Sequence, residues 1–252
     1  MQYLIANWKM KLTIAESVAL ARQVRDYIAR APVNLKVVLC PSFPALPAVR
    51  EVIQGTALEL GAQDVAHVDR ASLTGAVSAL QLKELGVTTV LVGHSERRAY
   101  FSETNDRVGE KTRYTLAQGL RTVVCVGESS AERAAGMAHT IVAQQVHSAI
   151  EGATHSENLI IAYEPVWAIG TGIPVELADA QATARSIAQI LSDGASHYPT
   201  HTVPVLYGGS VDHHTIGDFT GAPLSGTLVG NASQTAQGLI ALLRVFPHSS
   251  SS

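Results

Sequence analysis

Short apolar runs recur along this 252-residue chain at roughly thirty-residue spacing and alternate with segments whose apolar positions follow the helical period. The runs begin near Tyr3, Lys36, Ala57, Thr89, Arg121, Leu159, Val203 and Gly226. Each interval is long enough for one strand and its crossover helix. The pattern predicts an α/β fold in which eight parallel strands close into a (β/α)8 barrel inside a ring of outer helices, with no strand edge exposed. An open, doubly wound sheet is the alternative. Thr13 to Glu16 and Ser78 to Gln81 have capping-box spacing. The first opens an amphipathic stretch through Val18, Val24 and Ile28; the second precedes Leu82 and Leu85, with Gly86 as a stop. Further helices are expected over 102–119, 131–151 and 176–191.

With 46% hydrophobic residues the chain can bury a large core, and no shift in composition divides it. One barrel domain over residues 1–252 is therefore predicted, with the polar stretch 249–252 as a frayed tail. The net charge is -3 and the charged residues are scattered, which argues against nucleic acid or an anionic membrane as partner. No apolar run is long enough to cross a bilayer and the N-terminus lacks the pattern of a signal peptide, so a cytoplasmic enzyme of small molecules is expected. Cys40 and Cys125 end apolar runs and read as buried thiols of a reducing compartment. Neither has a Cys or His neighbour at metal-ligand spacing, and no metal site is predicted.

In a parallel barrel the C-terminal ends of all strands open on one face, so residues distant in sequence converge there. Those ends carry Asn7-Trp8-Lys9, then Gly93-His94-Ser95-Glu96, then Glu164, then Gly208-Gly209-Ser210 and finally Gly230-Asn231. Glu164 ends the buried run Leu159–Tyr163 and precedes Pro165 and the glycines Gly170 and Gly172, the layout of a general base under a lid. Gly-rich turns leading into helices offer backbone N–H groups to a phosphate, and the Ser210 hydroxyl is a candidate extra donor. Lys9 supplies a point charge for a developing oxyanion. His94, followed by the N-cap candidate Ser95, is expected beside a helix N-terminus that favours the uncharged imidazole. The set describes proton abstraction beside a carbonyl, with Glu164 as base, Asn7, Lys9 and His94 around the oxygens and Glu96 in support.

These segments resemble the triosephosphate isomerase family. The resemblance rests on Asn7-Trp8-Lys9-Met10, Gly93-His94-Ser95-Glu96-Arg97-Arg98, the stretch from Ala162 through Glu164 to Gly172, and Tyr207-Gly208-Gly209-Ser210-Val211, and it runs from about Tyr3 to Phe246. It implies a TIM barrel that interconverts dihydroxyacetone phosphate and D-glyceraldehyde 3-phosphate through an enediolate, without metal or organic cofactor, as a homodimer. It also implies phosphate binding by backbone N–H groups of Gly170, Ser210, Gly230 and Asn231, under a lid from Pro165 to about Val175.

The chain departs from the family pattern in places. Asn231 stands where a second glycine is usual, which suggests a positive φ held at some conformational cost. Pro174 enters the far hinge of the lid, and Ala76 replaces a carboxylate in the loop that reaches the partner subunit. Two other classes compete: a phosphosugar epimerase or aldolase, for which neither metal ligands nor a Schiff-base lysine is visible, and a non-catalytic or weakly active barrel that binds phosphates or a partner protein. Glu128 and Trp167 read as structural groups, at a helix start and in rim packing.

Overall fold

The computed structural model describes residues 2–154, 156–172, 174–193 and 203–247. The strands are β1 (Tyr3–Asn7), β2 (Lys36–Cys40), β3 (Leu58–Ala62), β4 (Val87–Val92), β5 (Arg121–Val126), β6 (Leu159–Tyr163), β7 (Val205–Tyr207) and β8 (Gly226–Val229). They form a closed barrel in chain order with parallel neighbours, and β8 pairs back onto β1 through Tyr3 and Gly226. That closing pair excludes the open sheet. The tail 249–252 lies outside the described residues.

Barrel strands are buried on both faces, which is why their sequences are apolar runs with little polar alternation. The alternation survives in where the side chains go. Tyr3 and Ile5, Val38 and Cys40, Val123 and Cys125, and Ile160 and Ala162 pack together inside the barrel. Their neighbours, such as Leu4, Val37, Val124 and Ile161, join the larger core beneath the helices. β3 adds no side chain to this apolar layer because Gly61 stands there, and its other inward position, Glu59, pairs with Arg121 and Lys36 at the lower end. A Cβ on Gly61 would lie 2.4 Å from Cys40 Sγ and 2.8 Å from Val38 Cγ1.

The same two-residue alternation continues past the strand ends. It carries the inward-facing parity from Ile5 to Asn7, from Ala162 to Glu164, from Leu206 to Gly208 and from Leu228 to Gly230. The polar groups at the barrel mouth are therefore the next layer of its interior.

The helices are α1 (Ile14–Arg30), α2 (Leu46–Ile53), α3 (Ala79–Glu84), α4 (Ser95–Tyr100), α5 (Asn105–Ala117), α6 (Ser130–Ala134), α7 (Ala138–Ile150), α8 (Leu177–Asp193) and α9 (Ala236–Leu243). Both expected capping boxes form, at Thr13 with Glu16 and at Ser78 with Gln81. A third, Ser129 with Glu132, opens α6. The helix expected over 131–151 is in fact two, because the chain turns at Gly136 with φ 73° before α7 begins. No helix among the described residues is long and apolar enough to cross a membrane.

Candidate active site

Glu164 is placed by backbone bonds on both sides. Its N–H donates to Val126 O at 2.7 Å, and Gly208 N–H donates to Tyr163 O at 2.8 Å. The residue is 2% exposed, a burial that a carboxylate tolerates only with polar partners. Oε2 accepts from the Ser95 N–H at 3.1 Å, and Oε1 lies 3.2 Å from His94 Nε2. Two glycines make the room. A Cβ on Gly208 would lie 2.7 Å from Glu164 Cγ, and one on Gly127 would lie 1.8 Å from the Glu164 carbonyl oxygen.

His94 differs in one detail from the sequence expectation. The N-cap of α4 is His94 itself, and Ser95 is the first helical residue. His94 Nδ1 accepts from the Glu96 N–H at 3.2 Å. A proton on Nδ1 would point at that N–H, so the bond assigns the ring proton to Nε2, facing Glu164. The first turn of α4 therefore fixes which ring nitrogen faces Glu164.

Lys9 holds a φ of 51°, one of two positive values outside glycine among the described residues. Such a conformation costs on the order of 1–3 kcal/mol and persists only where the surroundings impose it. Its N–H donates to Asn7 Oδ1 at 3.0 Å, and its carbonyl accepts from Gln63 Nε2 at 2.8 Å. Gln63 also donates to Cys40 O at 2.9 Å, tying the turn to β2. Lys9 Nζ pairs with Glu96 Oε1 at 2.7 Å. Gln63 escaped the sequence analysis because a lone Gln at a strand end carries no signal of its own.

One cavity of about 350 Å³ collects Asn7, Lys9, His94, Glu164, Gly170, Ser210, Gly230 and Asn231 in its wall. Glu96 stands outside the lining and meets the cavity through its ion pair with Lys9. Cys125, buried in β5, has its thiol pushed well up by burial and then by the charge of Glu164, so it stays protonated and inert. Both cysteines are free.

The segment after Glu164 lies down over this cavity. Gly172 N–H donates to Ser210 Oγ at 3.3 Å, and Val175 N–H donates to Tyr207 Oη at 3.0 Å. Ser210 Oγ in turn donates to Ala168 O at 2.8 Å. The hydroxyl's one proton is spent on the lid, so Ser210 is not the extra donor expected from the sequence. Asn231 is also corrected. It sits at the start of a short 3₁₀ turn and is not among the positive-φ residues, so the conformational cost expected for it does not arise. Of the far hinge, Pro174 and Val175 are described and Ile173 lies outside the described residues.

Glu128 does more than start a helix. It is fully buried, accepts from Trp167 Nε1 at 2.9 Å and from Tyr163 Oη at 3.2 Å, and its carbonyl accepts from the Val166 N–H at 3.1 Å. The Arg133 guanidinium covers the Trp167 ring at 4.7 Å. The near end of the lid is thereby anchored to the turn after β5. Sequence reading missed this because the partners are 35 residues and more apart.

Comparison with known proteins gives a consistent result. Residues 2–246 match the family described as triosephosphate isomerase. The triosephosphate isomerase of Roseiflexus sp. (strain RS-1) is 42% identical over 97% of both chains. Those of Thermoanaerobacter sp. (strain X514) and Prosthecochloris aestuarii are 40% and 39% identical, over 91% and 95% of this chain and 93% and 96% of theirs.

Proposed function

We propose residue roles on one premise: the chain belongs to the triosephosphate isomerase family and is an aldose–ketose isomerase that interconverts dihydroxyacetone phosphate and D-glyceraldehyde 3-phosphate. Glu164 is the base. It leaves the Ser95 N–H, takes the proton from the carbon beside the carbonyl, and returns it to the neighbouring carbon. His94 donates from Nε2 to the carbonyl oxygen, and Lys9 faces the same oxygens as their charge grows. These are roles established for the family. Asn7 fixes the Lys9 turn, and Glu96 orients the Lys9 ammonium. No resident metal or cofactor is assigned to these steps.

The phosphate is assigned to the backbone N–H groups of Gly170, Ser210, Gly230 and Asn231. The lid excludes water and keeps the enediolate from expelling phosphate, the gating for which this family is known. The observation that carries the proposal is the contact set of the buried Glu164 carboxylate: a helix-start amide on one oxygen and the His94 Nε2 on the other, inside the cavity that also holds Lys9. A coupled assay with D-glyceraldehyde 3-phosphate in deuterated water tests it. Turnover with deuterium entering the carbon-bound position is expected; turnover without exchange would remove the proton-transfer role.

The chain is also proposed to act as a cytoplasmic homodimer. Exposed Met10, Leu73, Tyr100 and Phe101, from the segments that follow β1, β3 and β4, support a shared apolar face. Light scattering at micromolar concentration is expected to give twice the chain mass, and a monomer with full turnover would overturn it.

A further inference from the structure

Asn231 has a side chain placed where backbone binding alone leaves it unused. Its carboxamide lines the active-site cavity and has no hydrogen-bond partner among the described residues. A Cβ built on Gly170 would lie 3.8 Å from Asn231 Nδ2, so the amide stands against the lid residue assigned to the phosphate. On its other side Gly230 borders the Lys9 stem, a Cβ there meeting Lys9 Cε at 3.3 Å. The Ser210 hydroxyl beside it already donates its one proton to Ala168 O, and Lys9 is assigned to the reacting oxygens.

A phosphate dianion has three terminal oxygens and more acceptor sites than four backbone N–H groups fill. A carboxamide adds a donor without adding a cation beside Glu164, and a hydrogen bond to a charged oxygen is stronger than one between neutral groups. We infer that the Asn231 side chain donates from Nδ2 to a peripheral oxygen of the substrate phosphate, and so sets selectivity for phosphorylated over unphosphorylated trioses. This rests on the isomerase reading above and adds to it a side-chain determinant of the phosphate corner.

The test uses the full chain with Asn231→Ala, Asn231→Gly and the isosteric Asn231→Asp. Two quantities are read: the inhibition constant of inorganic phosphate, and the ratio of kcat/KM for D-glyceraldehyde 3-phosphate to that for D-glyceraldehyde. Asn231→Ala and Asn231→Gly are each expected to raise the first and lower the second about tenfold, and Asn231→Asp by more, because it replaces a donor with a like charge. Values within about twofold of the parent in both Ala and Gly variants would overturn the inference, as would an equal loss on both aldehydes. If the parent fails to isomerise D-glyceraldehyde 3-phosphate, the isomerase reading falls. Calorimetric phosphate affinity of parent and variants then still decides the role of Asn231.

Discussion

Adding one methyl group at Gly208 should cost this enzyme its rate while leaving its fold. The Cβ of Gly208→Ala would sit 2.7 Å from Glu164 Cγ and 3.3 Å from Tyr163 O, where ordinary contacts lie at 3.4–4 Å. Gly208 cannot retreat easily, since its N–H is bonded to Tyr163 O at 2.8 Å. The yielding group is the Glu164 side chain, and relief of the clash moves its Cγ by about 1 Å. A misplacement of about 1 Å in a reacting group lowers rate by about a hundredfold. Overpacking of this kind costs about 1–3 kcal/mol of stability, too little to unfold a typical domain. Steady-state kinetics with a coupled assay should therefore show kcat down about a hundredfold with KM changed much less, because the phosphate corner is untouched. Circular dichroism should show native helix content with a lowered Tm. A kcat within about twofold of the parent would refute the argument that Gly208 exists to seat the base.

Glu164→Gln keeps bulk and removes basicity. It is expected to lower kcat by about 10²–10⁴ while inorganic phosphate still inhibits, and parent-like activity would remove Glu164 from its role. Tyr207→Phe takes away the oxygen that the Val175 N–H donates to at 3.0 Å. A net hydrogen bond of about 1 kcal/mol predicts a closed lid weakened about fivefold, read as phosphate released from the enediolate during turnover. At the opposite barrel end, burial pushes the Glu59 carboxyl up, but the Arg121 hydrogen bond and charge, helped by Lys36, outweigh it and hold it below its ordinary value. With the folded value depressed, the stabilisation is present above the unfolded pKa and is lost as pH falls through the folded one. Glu59→Gln should flatten the fall in Tm below about pH 4.5, and an unchanged acid limb would contradict the pairing.

The outer architecture was legible because local rules and the global fold agree. Apolar runs with helical intervals specify β/α units, Thr13 and Ser78 mark helix starts, and strand parity carries Glu164 to the mouth of the barrel. Strand starts at Leu58, Val87 and Val205 differ from expectation by one or two residues, as fraying ends do. The division at Gly136 was hidden because helical periodicity resumes after it. That Glu164, His94 and Lys9 would meet at one cavity was readable from residue type and position at strand ends.

What the chain could not reveal alone is which groups share a partner. The proton position on His94 depends on the Glu96 amide, the commitment of the Ser210 hydroxyl on the lid, and the anchorage of Trp167 on Glu128. Each is a contest between polar groups for one hydrogen bond, and its outcome is set by distances that exist only once the barrel closes. Sequence determined the strand periodicity and the chemical inventory at the barrel mouth. Tertiary structure decided how that inventory is paired, because hydrogen bonds are short and directional whereas hydrophobic patterning is neither.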